Sequence, residues 1–250
     1  MLGLDNMKKS LVLGVTSLGG GVNSVGHHYY ANEIKKMGDE SGSDHVVVVG
    51  HGVDGKTAGK DSVVGKTWGN VRNPNPAKRK FTGSPKISES PMPVDEKLKF
   101  AKAFSPKVNW DNTTPERGLG EILGDHAKNY SKIHIHVEPS QAKVLRATAD
   151  GMVKAGQINH GQVEVHDFHR ISNSSGEQIN GTAMRNMIID GDKKKFTSQL
   201  PPAPTNDPKI HQRLWDRLKY HMGLAKDKPE SQESTLLRFK QWLVENNYTK

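Results

Sequence analysis

Two short strings carry residue types that can hold an anion. Ser24-Val25-Gly26-His27 follows an apolar run and a cluster of glycines, and Ile179-Asn180-Gly181-Thr182-Ala183-Met184-Arg185 lies far down the chain. A histidine at the start of a helix, after a glycine that lets the backbone approach, can hydrogen-bond phosphoryl oxygens while the helix N-terminus favours their charge. His27 stands in that position, Gly26 supplies the close approach, and the Ser24 hydroxyl can donate to the same group. In the second string Gly181 again permits close approach and Thr182 can cap a helix predicted over 183–189. Arg185, one turn in, can reach a phosphate with its planar fork. Both strings therefore point to phosphate binding. The plain alternatives are an N-cap beside an exposed histidine and a capped surface helix with a solvated arginine.

Two other groups of residues compete for attention. Gly50-His51-Gly52-Val53-Asp54-Gly55-Lys56-Thr57 matches the phosphate-cradling pattern GxxxxGK[ST] and follows a predicted strand. Such a loop must also open a helix, whereas Ala58-Gly59-Lys60-Asp61 leads into a Gly- and Pro-rich stretch, so the match is read as coincidence. Lys56 remains a candidate for contacting phosphates from the loop after the second strand. The second group is His134 with His136, which share one face of a predicted strand, and His166 with His169. Metal binding needs three or four convergent ligands. No neighbouring carboxylate pattern completes such a site in the sequence, so these histidines are read as structural or surface residues and no metal site is expected.

The elements that must position these residues follow from apolar periodicity. Leu11 to Thr16 is a nearly continuous apolar run ending near glycines, as in a strand buried on both faces. Tyr30, Ile34 and Met37 then recur at helical spacing, with Gly38 as a stop, and His45 to Val49 is a second buried strand. Helices are predicted over 93–104, with Leu98, Ala101 and Phe104 inward, and after Thr114-Pro115, with Leu119, Ile122 and Leu123 inward. A third covers 141–155, with Val144, Leu145, Thr148 and Met152 on one stripe. Further strands are predicted over 108–110, 133–137 and 162–168. The alternation argues for an α/β fold with a doubly wound, Rossmann-like parallel sheet, in which ligands bind beyond the carboxyl ends of the strands. After Pro201-Pro202 and Pro204, helices over 211–222 and 234–245 form a C-terminal extension. The expected division is a domain over 8–204 and a helical extension over 205–250.

Charge narrows the partners. The chain has 250 residues and a formal net charge of +9, which favours phosphate-bearing partners such as nucleotides or nucleic acid. Between 55 and 90 the sequence loses its period and carries Lys56, Lys60, Lys66, Arg72, Lys78, Arg79, Lys80 and Lys86 against Asp61 and Glu89, reading as a basic inserted loop. With no cysteine, disulfides, thiolate zinc sites and cysteine nucleophiles are excluded. No stretch approaches the roughly 18 apolar residues of a membrane span, and Leu11 to Val15 is too short for a secretory leader. A soluble cytoplasmic protein is expected.

The two strings together resemble the T/HxGH and ISGTxxR signatures of the nucleotidyltransferase superfamily, the cytidylyltransferase-like and NMN adenylyltransferase-like enzymes. The second resemblance continues through Gly191-Asp192, Phe196 and Leu200-Pro201. The segment from Ser90 to Phe104 is similar to a stretch of the small phage-encoded nucleotidyltransferase-like proteins, so the likeness runs collinearly over about 10–202. Where that family has an aromatic residue and a proline before its first signature, this chain has Gly20, Val22 and Asn23. The resemblance implies transfer of a nucleotidyl group from a nucleoside triphosphate bound with Mg²⁺, ATP in preference to CTP, to a phosphate-bearing small molecule. His27 and Arg185 would be the catalytic residues, with Ser24, Gly26, Lys56, Gly181 and Thr182 contacting phosphates. It also implies a phage protein, placed in the host cytoplasm or the virion. The competing expectation is a catalytically silent member of the same fold that binds nucleic acid through 55–90 or serves a structural role.

Overall fold

Five strands form one sheet, all but the short third built on Val, Ile or Leu: β1 (Ser10–Thr16), β2 (Asp44–Val49), β3 (Trp110–Asn112), β4 (Lys132–Val137) and β5 (Val163–Asp167). The computed structural model describes residues 9–16, 25–50, 92–114, 116–169, 181–222 and 224–225. The strand order is β3-β2-β1-β4-β5 and every pairing is parallel. Parallel neighbours require crossovers, which are supplied by α1 (Val25–Ser41), α2 (Val94–Phe104), α3 (Leu119–Ala127) and α4 (Pro139–Lys154). The helices α5 (Gly181–Ile189), α6 (Lys193–Ser198) and α7 (Ile210–His221) follow the sheet.

Burial shows how the two faces are covered. Leu11, Leu13, Val46, Val48, Ile133 and Ile135 pack with Ile122 and Leu123 of α3 and with Ala142, Leu145 and Met152 of α4. On the opposite face Val12 and Val47 meet Tyr30, Ala31 and Ile34 of α1, and Val49 meets Ala101 of α2. The α/β, doubly wound, Rossmann-like reading therefore stands: a five-stranded parallel sheet has helices on both sides.

Several local expectations shift. Gly38 does not stop α1, which runs on to Ser41 and ends at Gly42 with φ +64°. A Cβ on Gly38 would lie 2.9 Å from the Cβ of His45, so this glycine lets β2 pass close beneath the helix. Thr114 does not cap α3, whose N-cap is Gly118. Its hydroxyl instead accepts from the amide of Arg117 at 3.0 Å, closing the turn before the helix. Val144 is 65% exposed, and α4 turns Ala142, Leu145, Ala149 and Met152 inward. The third strand lies at 110–112 rather than 108–110.

The last helices share a core with the sheet-flanking α2. Phe104 packs with Met184 and Ile188 of α5, Phe196 of α6, and Leu214, Trp215 and Leu218 of α7. Phe196 and Trp215 meet edge to face at 5.2 Å between ring centres. Glu96 of α2 accepts from Arg217 Nε at 2.9 Å and lies 3.0 Å from His221 Nε2, tying α7 to α2 with a half-buried ionic cluster. The basic stretch over 55–90 and the predicted helix over 234–245 lie outside the described residues. Among the described residues no helix is long and apolar enough to cross a membrane.

Candidate functional site at the carboxyl edge of the sheet

In a sheet ordered β3-β2-β1-β4-β5, the chain leaves β1 toward β2 on one side and later returns to β4 on the other. The crevice between the carboxyl ends of β1 and β4 is the topological switch point, where no connection fills the gap. A small cleft lies there, lined by Val15, Thr16, His27, Tyr30, Glu138 and Phe168. Three strand ends and the first turns of α1 converge on it.

Each wall has a local cause. Val25, Gly26 and His27 form the first turn of α1, and the amide of Val25 donates to the Gln199 carbonyl at 3.0 Å, anchoring that turn beside the end of α6. His27 is 7% exposed, so the exposed-histidine alternative does not hold. One turn on, the Tyr30 hydroxyl accepts from the Val15 amide at 2.8 Å and donates to the His136 carbonyl. This bridges β1 to β4 at the floor of the cleft. Gly14 makes the bridge possible, since a Cβ there would come within 2.9 Å of the Tyr30 hydroxyl oxygen. Phe168, just past β5, sits edge-on to Tyr30 at 4.8 Å.

The second signature also lies in the body of the fold. α5 starts at Gly181, so Thr182 lies within its first turn rather than at the capping position, and nothing is described of the Thr182 side chain. Arg185 is only 5% exposed, which overturns the solvated-arginine alternative. The residues that extend the resemblance hold this helix in place. Gly191 takes φ +76° and ends the turn, Asp192 caps α6 by accepting from Lys195 N at 2.9 Å, and Phe196 is fully buried. Ser24 and Lys56 lie outside the described residues, as do His51 and the rest of the GxxxxGK[ST] string apart from Gly50.

One basic residue of this region was not singled out from the sequence. Lys97 of α2 is 1% exposed and its ammonium donates to the Gly50 carbonyl at 2.9 Å, at the carboxyl end of β2. Gly50 in turn donates to the Thr16 carbonyl at 2.8 Å, so Lys97 is two hydrogen bonds from the end of β1. Burial, with a further contribution from the Arg185 guanidinium, pushes the Lys97 amine down to about 7. A signal was present: Lys97, Ala101 and Phe104 recur at helical spacing, so the lysine stands on the apolar stripe. Glu138, just past the carboxyl end of β4, lines the cleft and was likewise not singled out.

The histidines of β4 and β5 depart from expectation. His134 and His136 do share a face, since Ile133, Ile135 and Val137 are the buried alternates. The reading that no carboxylate joins them is wrong: Glu164 lies opposite His134 in the β4–β5 register, with His166 two residues on. One atom from each of His134, Glu164 and His166 lies within 4.8 Å of the others. Sequence distance hid the group, which is assembled by strand pairing. Burial, with the neighbouring His166 and His134, pushes His136 down to about 4, so it is neutral at ordinary pH.

No protein-family model matches the chain, and no curated protein does. Among solved structures, the chain is similar to a macrolide-efflux protein from Streptococcus pneumoniae, with a TM-score of 0.40 and 15% identity. The match covers 78% of this chain and 57% of that one.

Proposed function

We propose that this protein binds a nucleoside triphosphate, ATP in preference to CTP, and transfers its nucleotidyl group to a phosphate-bearing small molecule with release of pyrophosphate. The observation that carries the reading is a set of buried basic side chains: His27 in the cleft at the switch point, Lys97 at the carboxyl end of β2, and Arg185 near enough to Lys97 to lower its amine. Side chains of this kind can hydrogen-bond phosphate oxygens, and the order of the two signature strings along the chain fits a polyphosphate ligand.

The chemistry asks for positioning and charge stabilisation rather than covalent help. An acceptor phosphate oxygen attacks the α-phosphorus, the bond to the bridging oxygen of the β-phosphate breaks, and pyrophosphate leaves with the electron pair. His27 would hydrogen-bond the phosphoryl oxygens at the amino end of α1, while Arg185 and Lys97 would neutralise charge on the departing pyrophosphate. Gly26 and Gly181 would admit the phosphates close to the backbone, with Ser24, Thr182 and Lys56 as further contacts. The Mg²⁺ that accompanies a triphosphate is held mainly by phosphate oxygens and water, and Glu138 is the cleft carboxylate suited to accept from that water.

Losing one preorganised donor costs about 2.7 to 4 kcal/mol of transition-state stabilisation. His27→Ala should therefore slow turnover by roughly a hundredfold or more while its circular dichroism stays that of the parent. The assay is pyrophosphate release over a panel of acceptors, including NMN, FMN, phosphopantetheine and sugar phosphates, after calorimetry with ATP and CTP in Mg²⁺. Unchanged turnover in His27→Ala would overturn the reading.

A second reading is favoured by the concentration of lysine and arginine over 55–90. In it the fold is kept without turnover, and that stretch binds nucleic acid or an acidic protein partner.

A further inference from the structure

We propose that His134, Glu164 and His166 form a zinc site with three protein ligands and an open fourth position. This site is separate from the phosphate cleft and does not rest on the nucleotidyl-transfer reading. The parallel register of β4 and β5 pairs His134 with Glu164 and His136 with His166. Side chains at alternate positions share a face, so His134, Glu164 and His166 stand together on the face that carries Val12, which packs against α1.

The three donor atoms are close enough to interact directly, and their spacing is also that of a metal's ligand set. Three single atoms, His134 Nδ1, His166 Nε2 and Glu164 Oε2, form a triangle with edges of 3.1, 3.4 and 3.8 Å. Zinc takes imidazole nitrogen and carboxylate oxygen at about 2.0 to 2.2 Å in tetrahedral sites, so neighbouring ligand atoms stand about 3.3 to 3.6 Å apart. Six-coordinate geometry at the same bond lengths would need edges of about 2.8 to 3.1 Å. The triangle therefore fits one face of a tetrahedron with only small adjustments. The donor set agrees: two imidazoles and a carboxylate suit zinc, whereas Mg²⁺ and Ca²⁺ prefer oxygen throughout.

The surroundings orient the ligands. Lys132 holds the other oxygen of Glu164, leaving Oε2 turned toward the histidines, and the same ammonium donates to the Gly161 carbonyl at 2.9 Å. His136 stacks on the His166 ring at 4.8 Å and backs it from the β4 side. Such supporting contacts fix ring and carboxylate direction in metal sites. The three ligand side chains are 31%, 43% and 41% exposed, so an ion can enter from solvent and a water can take the fourth position. His136 also touches the cleft, because its carbonyl accepts from Tyr30.

The test uses the full chain, stripped with a chelator and dialysed against Zn²⁺, with metal counted by mass spectrometry. One zinc per chain is expected, with affinity falling about a hundredfold or more in Glu164→Gln and His166→Ala and unchanged in the control His160→Ala. Zinc held equally well by the first two variants would overturn the proposal, because other histidines would then be the ligands. Should either variant fail to fold, Co²⁺ added to the unaltered chain decides the matter. The strong visible bands of four-coordinate cobalt support the site, and the weak spectrum of six-coordinate cobalt overturns it.

Discussion

At the scale of the residue, Lys97 is the buried lysine at the carboxyl end of β2. Its amine is held near 7 by burial first and by Arg185 second, against an ordinary value of 10.5. A polyphosphate bound beside it favours the charged form, so nucleotide binding should draw a proton onto the protein between about pH 7.5 and 9. Calorimetry of ATP binding in buffers of different ionisation enthalpy should report that uptake in the parent and lose it in Lys97→Met. Binding with no buffer dependence would place the phosphates elsewhere. The unfolded chain binds more protons than the folded one between pH 7 and 10.5, so the contribution of Lys97 to stability rises across that window. Its visibility in the sequence was partial. A lysine on an apolar stripe is readable, but only the approach of α2 to the end of β2 shows where its ammonium goes.

At the scale of the element, α2 is the joint between sheet and late helices. Its outer side carries Glu96, gripped by Arg217 and His221 of α7. Burial alone would raise the Glu96 carboxyl, but hydrogen bonds from His221 and Arg217 outweigh it and hold the group at about 2. A carboxylate with a depressed folded value stabilises the fold above its ordinary value of 4.5, and that stability is lost as the pH falls toward 2. Removing one partner of such a pair typically costs about 3 to 5 kcal/mol. Glu96→Gln should therefore lower the melting temperature at pH 7 and flatten its fall between pH 5 and 2, measured by thermal unfolding across that range. An equally steep acid transition in the variant would mean that other carboxylates drive it. Neither partner could be named from the sequence, because Glu96 and Arg217 are 121 residues apart and meet only through helix packing.

At the scale of the whole molecule, a surplus of positive charge is combined with a buried basic group at the sheet edge. The two can serve one ligand or two. Deleting 58–88 removes most of the surplus while sparing every described element. If the second reading holds, the parent should bind single- or double-stranded nucleic acid with affinity falling steeply as salt rises, and the deletion should lose that binding. Filter binding at two salt concentrations measures it, and binding that survives the deletion would remove this role from the stretch. Under the nucleotidyl-transfer reading the deletion should leave the His27-dependent affinity for a triphosphate in place.

What the sequence by itself determined was the alternation of strands and helices and the class of fold. The central strands β1 and β2 are nearly continuous apolar runs, and the helices repeat their apolar residues every three or four positions, both local properties. It also singled out His27 and Arg185 as candidate site residues. Tertiary structure alone decided what those residues meet. The strand order opens the cleft between β1 and β4, Gly14 lets Tyr30 bridge them, and α2 brings Lys97 beneath Gly50. Strand register turned His134, Glu164 and His166 from scattered polar positions into a ligand triangle. These contacts join segments far apart in the chain, and their distances are set by packing and pairing rather than by neighbouring residues, so no local pattern could have announced them.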